Sequence, residues 1–338
     1  VPSLEFATGT AKIGGYCSPA GAQIRFDTFE DFVMRKLLLL AFLFSLVSMG
    51  CADATGVAKD KVAPVPVSDE TPKADKPAPA KDAPAGGNDK YVTIKGKIVW
   101  DTAKAAAPKR EPIKATKDEE VAAKDKDFNT EFWVVNPKNN GIRDVVVWLA
   151  PEPSEGDLAD LKAGKKREFP SFAAADIHPD LAKPAKPSVE IDQPCCRFIP
   201  HVVVARTGQD MIIKNSAPVP HNAKWVSRNN DEINPLIPPG GQFAVKALKA
   251  ERFPIEISCS IHPWMKAWVR VFDHPYFAVT DEDGNFEIKN APVLAGKLRI
   301  FIWQENGISG GAPGRFGQTL EVKPGSMDLK EIKFDTGK

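Results

Sequence analysis

Cys259, His262 and Met265 follow one another at intervals of three residues, and His221-Asn222 stands upstream of them. A thiolate, two imidazoles and a thioether make up the donor set of a blue-copper centre. Soft sulfur favours Cu(I) while imidazole serves both oxidation states, so the combination suits a metal that passes single electrons. The spacing lets one short loop turn three side chains toward one ion, with the fourth ligand arriving from a distant segment. A Cys-x-x-His pair alone would say less, because zinc sites use it too.

The flanking residues must hold that loop. Phe253-Pro254-Ile255-Glu256-Ile257 before it and Ala267-Trp268-Val269-Arg270-Val271-Phe272 after it read as strands. Met211-Ile212-Ile213, ended by polar Asn215-Ser216, precedes His221. The loop therefore joins two strands and His221 lies on a neighbouring loop at the same end, chemistry on loops held by a rigid sheet. Pro220-His221-Asn222 together with the Cys-x-x-His-x-x-Met loop resembles the cupredoxins, the plastocyanin/amicyanin-like blue-copper family, over residues 189–275. The resemblance implies one mononuclear copper, with His221, Cys259 and His262 as equatorial ligands and Met265 as the long axial one. It also implies that the Asn222 side chain ties the two ligand loops together, and that His262 faces solvent as the electron port. Pro218, Pro220, Pro263 and Trp264 would form an apolar rim for transient docking.

Around this core the chain reads as strands separated by excursions. Residues 91–100 alternate in polarity, residues 101–130 are a charged, Ala/Lys-rich insertion with a short helix at most, and 132–135 and 144–149 resume strand character across an Asn139-Asn140-Gly141 turn. Residues 151–188 are a second, Pro-rich excursion. Many short strands and few helical runs predict an all-β fold, a cupredoxin-like Greek-key β-sandwich with long insertions over 91–275. Beyond it, the run Thr280-Asp281-Glu282-Asp283-Gly284-Asn285-Phe286 resembles the carboxypeptidase regulatory-like, transthyretin-type β-sandwich. Residues 276–338 are therefore read as a transthyretin-like extension, either a second small domain or extra strands completing the first. The acidic run is a turn rather than a calcium loop, because its glycine falls at the fourth position and no glutamate stands at the twelfth.

Residues 1–33 precede the first methionine and read as an over-extended start. Met34-Arg35-Lys36 and the uncharged apolar run 37–47 fit a signal peptide over 34–51, too short to span a membrane stably. Ser48-Met49-Gly50-Cys51 resembles a bacterial lipobox and would place a lipid on Cys51, whereas Ala52-Asp53-Ala54 offers a cleavage site that would release a soluble protein. Either outcome exports the protein, to the periplasm or the cell surface, with membrane anchoring in the lipoprotein case. Residues 52–90, rich in Pro and Ala with interleaved Lys and Asp, read as a disordered tether spanning about 35 Å as a flexible coil.

Cys195-Cys196 remain after these assignments. They would form a strained vicinal disulfide, an intermolecular bridge, a second metal site with His201, or two buried thiols. The formal net charge of +1 comes from 45 basic and 44 acidic residues mixed along the chain, so no nucleic-acid footprint is expected. Of the five histidines, three (His178, His201 and His274) are scattered, without the clustering that an additional catalytic copper would need. The expected function is accordingly not enzymatic: single-electron transfer between redox protein partners by an exported, lipid-anchored copper protein. A copper-binding or delivery lipoprotein, and an extracellular β-sandwich binding module with a structural metal, are the alternatives.

Overall fold

Two separate hydrophobic clusters organise residues 90–337, the part of the chain that this computed structural model describes. The start at 1–33, the signal segment with Cys51, and the tether up to residue 89 lie outside the described residues.

The first cluster is built mainly from residues 189–271. In the strand Asp210–Lys214, Met211 and Ile213 are buried while their neighbours are half-buried, the period-two pattern of a sheet with one face on a core. The same alternation buries Ile255 and Ile257 in Ile255–Ser258. One sheet runs in the order Val202–Arg206, Lys266–Phe272, Ile255–Ser258, Lys224–Trp225, with the first pair parallel and the others antiparallel. A second sheet places Asp210–Lys214 between Ser188–Ile191 and Gln242–Val245. This all-β, multi-sheet arrangement is consistent with a cupredoxin-type sandwich.

The second cluster draws on both ends of the described chain. Tyr91–Trp100 lies between Asn285–Pro292, antiparallel, and Gly325–Phe334, parallel. Val146–Pro151 lies between Phe277–Val279 and Lys297–Gln304, and the latter also pairs with Gln318–Glu321. A division at residue 275 thus runs between strands that share sheets, because the partners of 91–100 and 146–151 lie beyond it. A small third cluster around Val146, Val202 and Phe272 joins the two cores.

Local differences from the expected strands have physical causes. Residues 132–135 form no strand and contribute only the isolated Val135–Ile142 bridge. Gly325–Phe334 escaped the pattern because Lys330 adopts φ 58°, and the register shifts opposite Lys95/Lys97, which breaks the alternation. The turn at 139–141 is tight: a Cβ on Gly141 would lie 1.9 Å from the Asp283 carbonyl oxygen. The 101–130 insertion holds one four-residue helix, Glu119–Ala122.

Candidate metal centre

Antiparallel pairing of Ile257 with Ala267 and Ser258 with Lys266 delivers the chain to the mouth of the 259–265 loop. The loop then closes on itself, since Cys259 N–H donates to Met265 O (3.2 Å) and Met265 N–H to His262 O (2.9 Å). Cys259, His262 and Met265 are all buried. His221 arrives on the two-residue strand His221–Asn222, paired with Leu236–Ile237.

These elements bring the two imidazoles together with Nδ1 facing Nδ1 at 2.9 Å, and Cys259 Sγ stands 3.8 Å from His262 Nδ1. Such separations can be spanned by two metal–nitrogen bonds of ~2.0 Å and one metal–sulfur bond of ~2.3 Å to a shared ion. Both histidines are 0% exposed, and Cys259 and Met265 are buried as well, so the donors are shielded from solvent. Burial, reinforced by the neighbouring His262, pushes the pKa of His221 down to about 4, leaving it in the neutral form that ligates metals. The residues therefore fit a single metal ion held by two imidazoles and a cysteine sulfur, and the sulfur within 4.8 Å of both rings is that of Cys196, with Cys259 close to His262.

Asn222 joins the two ligand segments. Its Oδ1 accepts from Ser260 N–H (2.7 Å) and from the Cys259 thiol (3.3 Å), while its Nδ2 donates to Asn234 Oδ1 (2.6 Å). The side chain thereby fixes how far His221 stands from the cysteine loop.

Two groups that sequence reasoning did not assign to the centre stand against it. Cys196 offers its sulfur within 4.8 Å of ligand atoms of both His221 and His262. It sits in the left-handed region at φ 54°, and its carbonyl accepts from Trp264 Nε1 (3.0 Å), which pins it to the ligand loop. Burial, together with the nearby Asp118, Cys195 and Cys259, pushes its thiol up to about 12. Cys195, Cys196 and Cys259 are all free, so the vicinal bridge is not formed. His201 is not brought to the Cys195-Cys196 pair; its ring lies between Glu131 Oε2 and Glu305 Oε1, each at 3.3 Å.

The second group is Asp118, whose Oδ2 lies 2.8 Å from His262 Nε2. The loop histidine is therefore not the solvent-facing port that the family resemblance implied. The 101–130 insertion covers it: Val121 and Ala122 enter the first core, Ala115 and Phe128 pack on it, and Phe128 meets Trp264 edge-on at 6.2 Å. Arg197 holds this cap down through Asp125 (2.6 Å) and the Asp127 carbonyl (2.6 Å). No spacing rule pointed to Asp118, because its role depends on a fold-back of the insertion. Cys196 carried a signal as one of two adjacent cysteines left over by the other assignments, but its partners could not be read from sequence. Of the expected rim, Pro218, Pro220 and Pro263 are exposed and Trp264 is half-buried, its ring 5.3 Å from that of His262.

A scan against protein-family models gave no match, and neither did a search of curated proteins. Among solved structures, one similar chain is a Cu-containing nitrite reductase from Thermus scotoductus SA-01, at 21% identity, TM-score 0.23, and coverage of 25% of this chain and 22% of that one. A mutant of amicyanin in its Cu(I) form is similar at 18% identity and TM-score 0.23, over 30% of this chain and 90% of that one. A purple cupredoxin from Nitrosopumilus maritimus is similar at 23% identity and TM-score 0.22, over 25% of this chain and all of that one. The chain thus spans less than a quarter of the nitrite reductase's length.

Proposed function

We propose that this chain is an exported blue-copper protein that transfers single electrons between redox protein partners. The observation that supports the reading is two buried imidazoles with Nδ1 atoms 2.9 Å apart, Cys196 sulfur within 4.8 Å of both, and Cys259 Sγ 3.8 Å from His262 Nδ1. His221, Cys259 and His262 would hold the metal, with Met265 as the weak fourth donor. Bound there, copper would supply one-electron oxidation and reduction. The chain's own residues exclude water, keep His221 neutral, and lock the loop through Asn222, so the donors need to rearrange little between oxidation states. Trp264 and the exposed prolines 218, 220 and 263 offer the surface over which a partner would dock. In this reading the second β-region is a transthyretin-like companion, and Cys51 anchors the chain through a lipid and the 52–90 tether.

The test is spectroscopic and electrochemical. Purified protein loaded with Cu(II) should bind one ion, turn intensely blue, and show a reversible one-electron wave. Cys259→Ser should abolish the colour, while Cys196→Ser should keep it. A colourless protein that retains Cu(I) would sink the electron-transfer reading.

A second reading rests on Cys196. A second free thiol within 4.8 Å of both imidazoles is suited to soft Cu(I), as a copper-binding or delivery protein would require. Loss of copper in Cys196→Ser with retention in Cys259→Ser would favour it.

A further inference from the structure

A cleft of about 800 Å3 lies where the cysteine-loop sheet meets the sheet of Val146–Pro151 and Lys297–Gln304, within the ~300–1,000 Å3 range of ligand pockets. Arg270, from the strand Lys266–Phe272, stands in its wall and is 8% exposed. Its Nε and Nη1 are buried without a hydrogen-bond partner, and among the described residues no carboxylate lies within ion-pairing distance of it. The other buried arginines differ: Arg197 pairs with Asp125 and Glu131, and Arg299 with Glu152. Arg270 instead lies over aromatic faces, 4.6 Å from the Phe272 ring centroid and 5.6 Å from that of Trp148. Burial draws its pKa down to about 10 against the pull of Asp273 and Glu251, so it stays cationic at neutral pH. A desolvated cation without a direct ion pair, offset only by the more distant Asp273 and Glu251, is costly, and such a group is compensated when an anion is bound beside it.

The rest of the lining completes a recognition site. Arg167, Arg228, Arg252 and Arg315 add positive charge and all four are exposed, whereas Lys166, also on the lining, is paired with Asp157. Three acids share the wall, Glu168, Glu251 and Asp273, but Glu251 is committed to Ser227 Oγ and the Asn229 N–H. Between these charges lie flat apolar surfaces, including Phe169, Trp303, Phe316 and Phe253, the last of them 56% exposed. A bare inorganic anion would leave those rings wet, and a neutral arene would leave Arg270 uncompensated. We propose that this cleft binds a small planar aromatic anion, such as an arene carboxylate, with the acid group toward Arg270 and Arg315 and the ring against the aromatic wall. The proposal stands apart from the copper centre, since none of the metal-site residues lines the cleft.

The experiment titrates naphthoate into the full chain, following tryptophan fluorescence and calorimetric stoichiometry. Saturable one-to-one binding is expected, about tenfold or more tighter than for naphthalene carboxamide, acetate or octanoate, as a charge-assisted contact combined with ring burial would give. Arg315→Gln, at an exposed position, and Arg270→Met should each weaken naphthoate binding by about threefold or more. Selectivity below tenfold over the carboxamide or over acetate overturns the anionic-arene assignment, and octanoate binding as tightly as naphthoate overturns the aromatic part. Wild-type affinity in both arginine variants overturns the role given to the cations. The wild-type comparisons decide the proposal even if Arg270→Met does not fold.

Discussion

The carboxylate of Asp118 meets Nε2 of His262, the ring nitrogen opposite the one that faces His221. A carboxylate on the outer nitrogen of a metal-ligating histidine fixes the ring's orientation and makes it a better donor. Greater donor strength favours Cu(II) over Cu(I). Asp118→Ala should therefore lower Cu(II) affinity by about 10–100-fold and raise the midpoint potential, read by chelator competition and by voltammetry. If both are unchanged, Asp118 is a cover and not a tuning group. Asn222 acts at the same scale but on the metal-free fold. Asn222→Ala leaves the Ser260 N–H without its acceptor and should cost about 1–3 kcal/mol of unfolding free energy, measured by denaturant titration of copper-free protein.

At the scale of elements, backbone contact between the 139–141 turn and the 281–285 turn is what a substitution would probe. A Cβ on Gly141 would meet the Asp283 carbonyl at 1.9 Å, with backbone on both sides. Gly141→Ala should therefore destabilise by about 2 kcal/mol or more. Gly156, inside the helix Glu155–Lys162, has nothing within 4 Å of the position a Cβ would take, so Gly156→Ala should stabilise by about 0.5–1 kcal/mol. Thermal melts of the two variants against the parent check both signs. The elements nearest the centre were the most legible in the sequence, because period-two burial such as Met211/Ile213 and Ile255/Ile257 leaves a direct trace. The meeting of His221 with His262 was legible for a different reason, as part of a donor set with its own spacing, whereas Cys196, the sulfur within 4.8 Å of both rings, was not. Pairing was not. Nothing local says that residues 91–100 bond to 325–334, and the bulge at Lys330 hid the latter strand. The cap over His262 was equally hidden, since its anchors Val121, Ala122 and Asp125 look like any charged, alanine-rich loop.

At the scale of the whole molecule, a buried ionic cluster spans what the two cores keep apart. His201 precedes a strand of the first core, Glu305 follows a strand of the second, and Glu131 directly follows the insertion that caps the candidate metal centre. Burial alone would depress the His201 pKa, but the two flanking carboxylates prevail and raise it to about 10. A raised histidine pKa stabilises the fold fully below the unfolded value of about 6.5, and that contribution is lost as pH climbs through the folded value. The stability gap between the parent and His201→Gln should therefore be widest near neutral and acidic pH, about 2–4 kcal/mol, and should shrink toward zero above pH ~10. Chemical denaturation of both proteins across that span reads the effect. A constant gap would show that His201 contributes by packing and not by charge.

The parallel pairing of Tyr91–Trp100 with Gly325–Phe334 also orders events during synthesis. Strands of the first core come from one contiguous stretch and can associate while the nascent chain is still growing. Its companion cannot close until the final ten-residue strand has left the ribosome. A product terminated before Gly325 would carry a long bare edge on its earliest strand, the kind of template that recruits other chains, so such fragments should be found in aggregates even when their metal loop is intact.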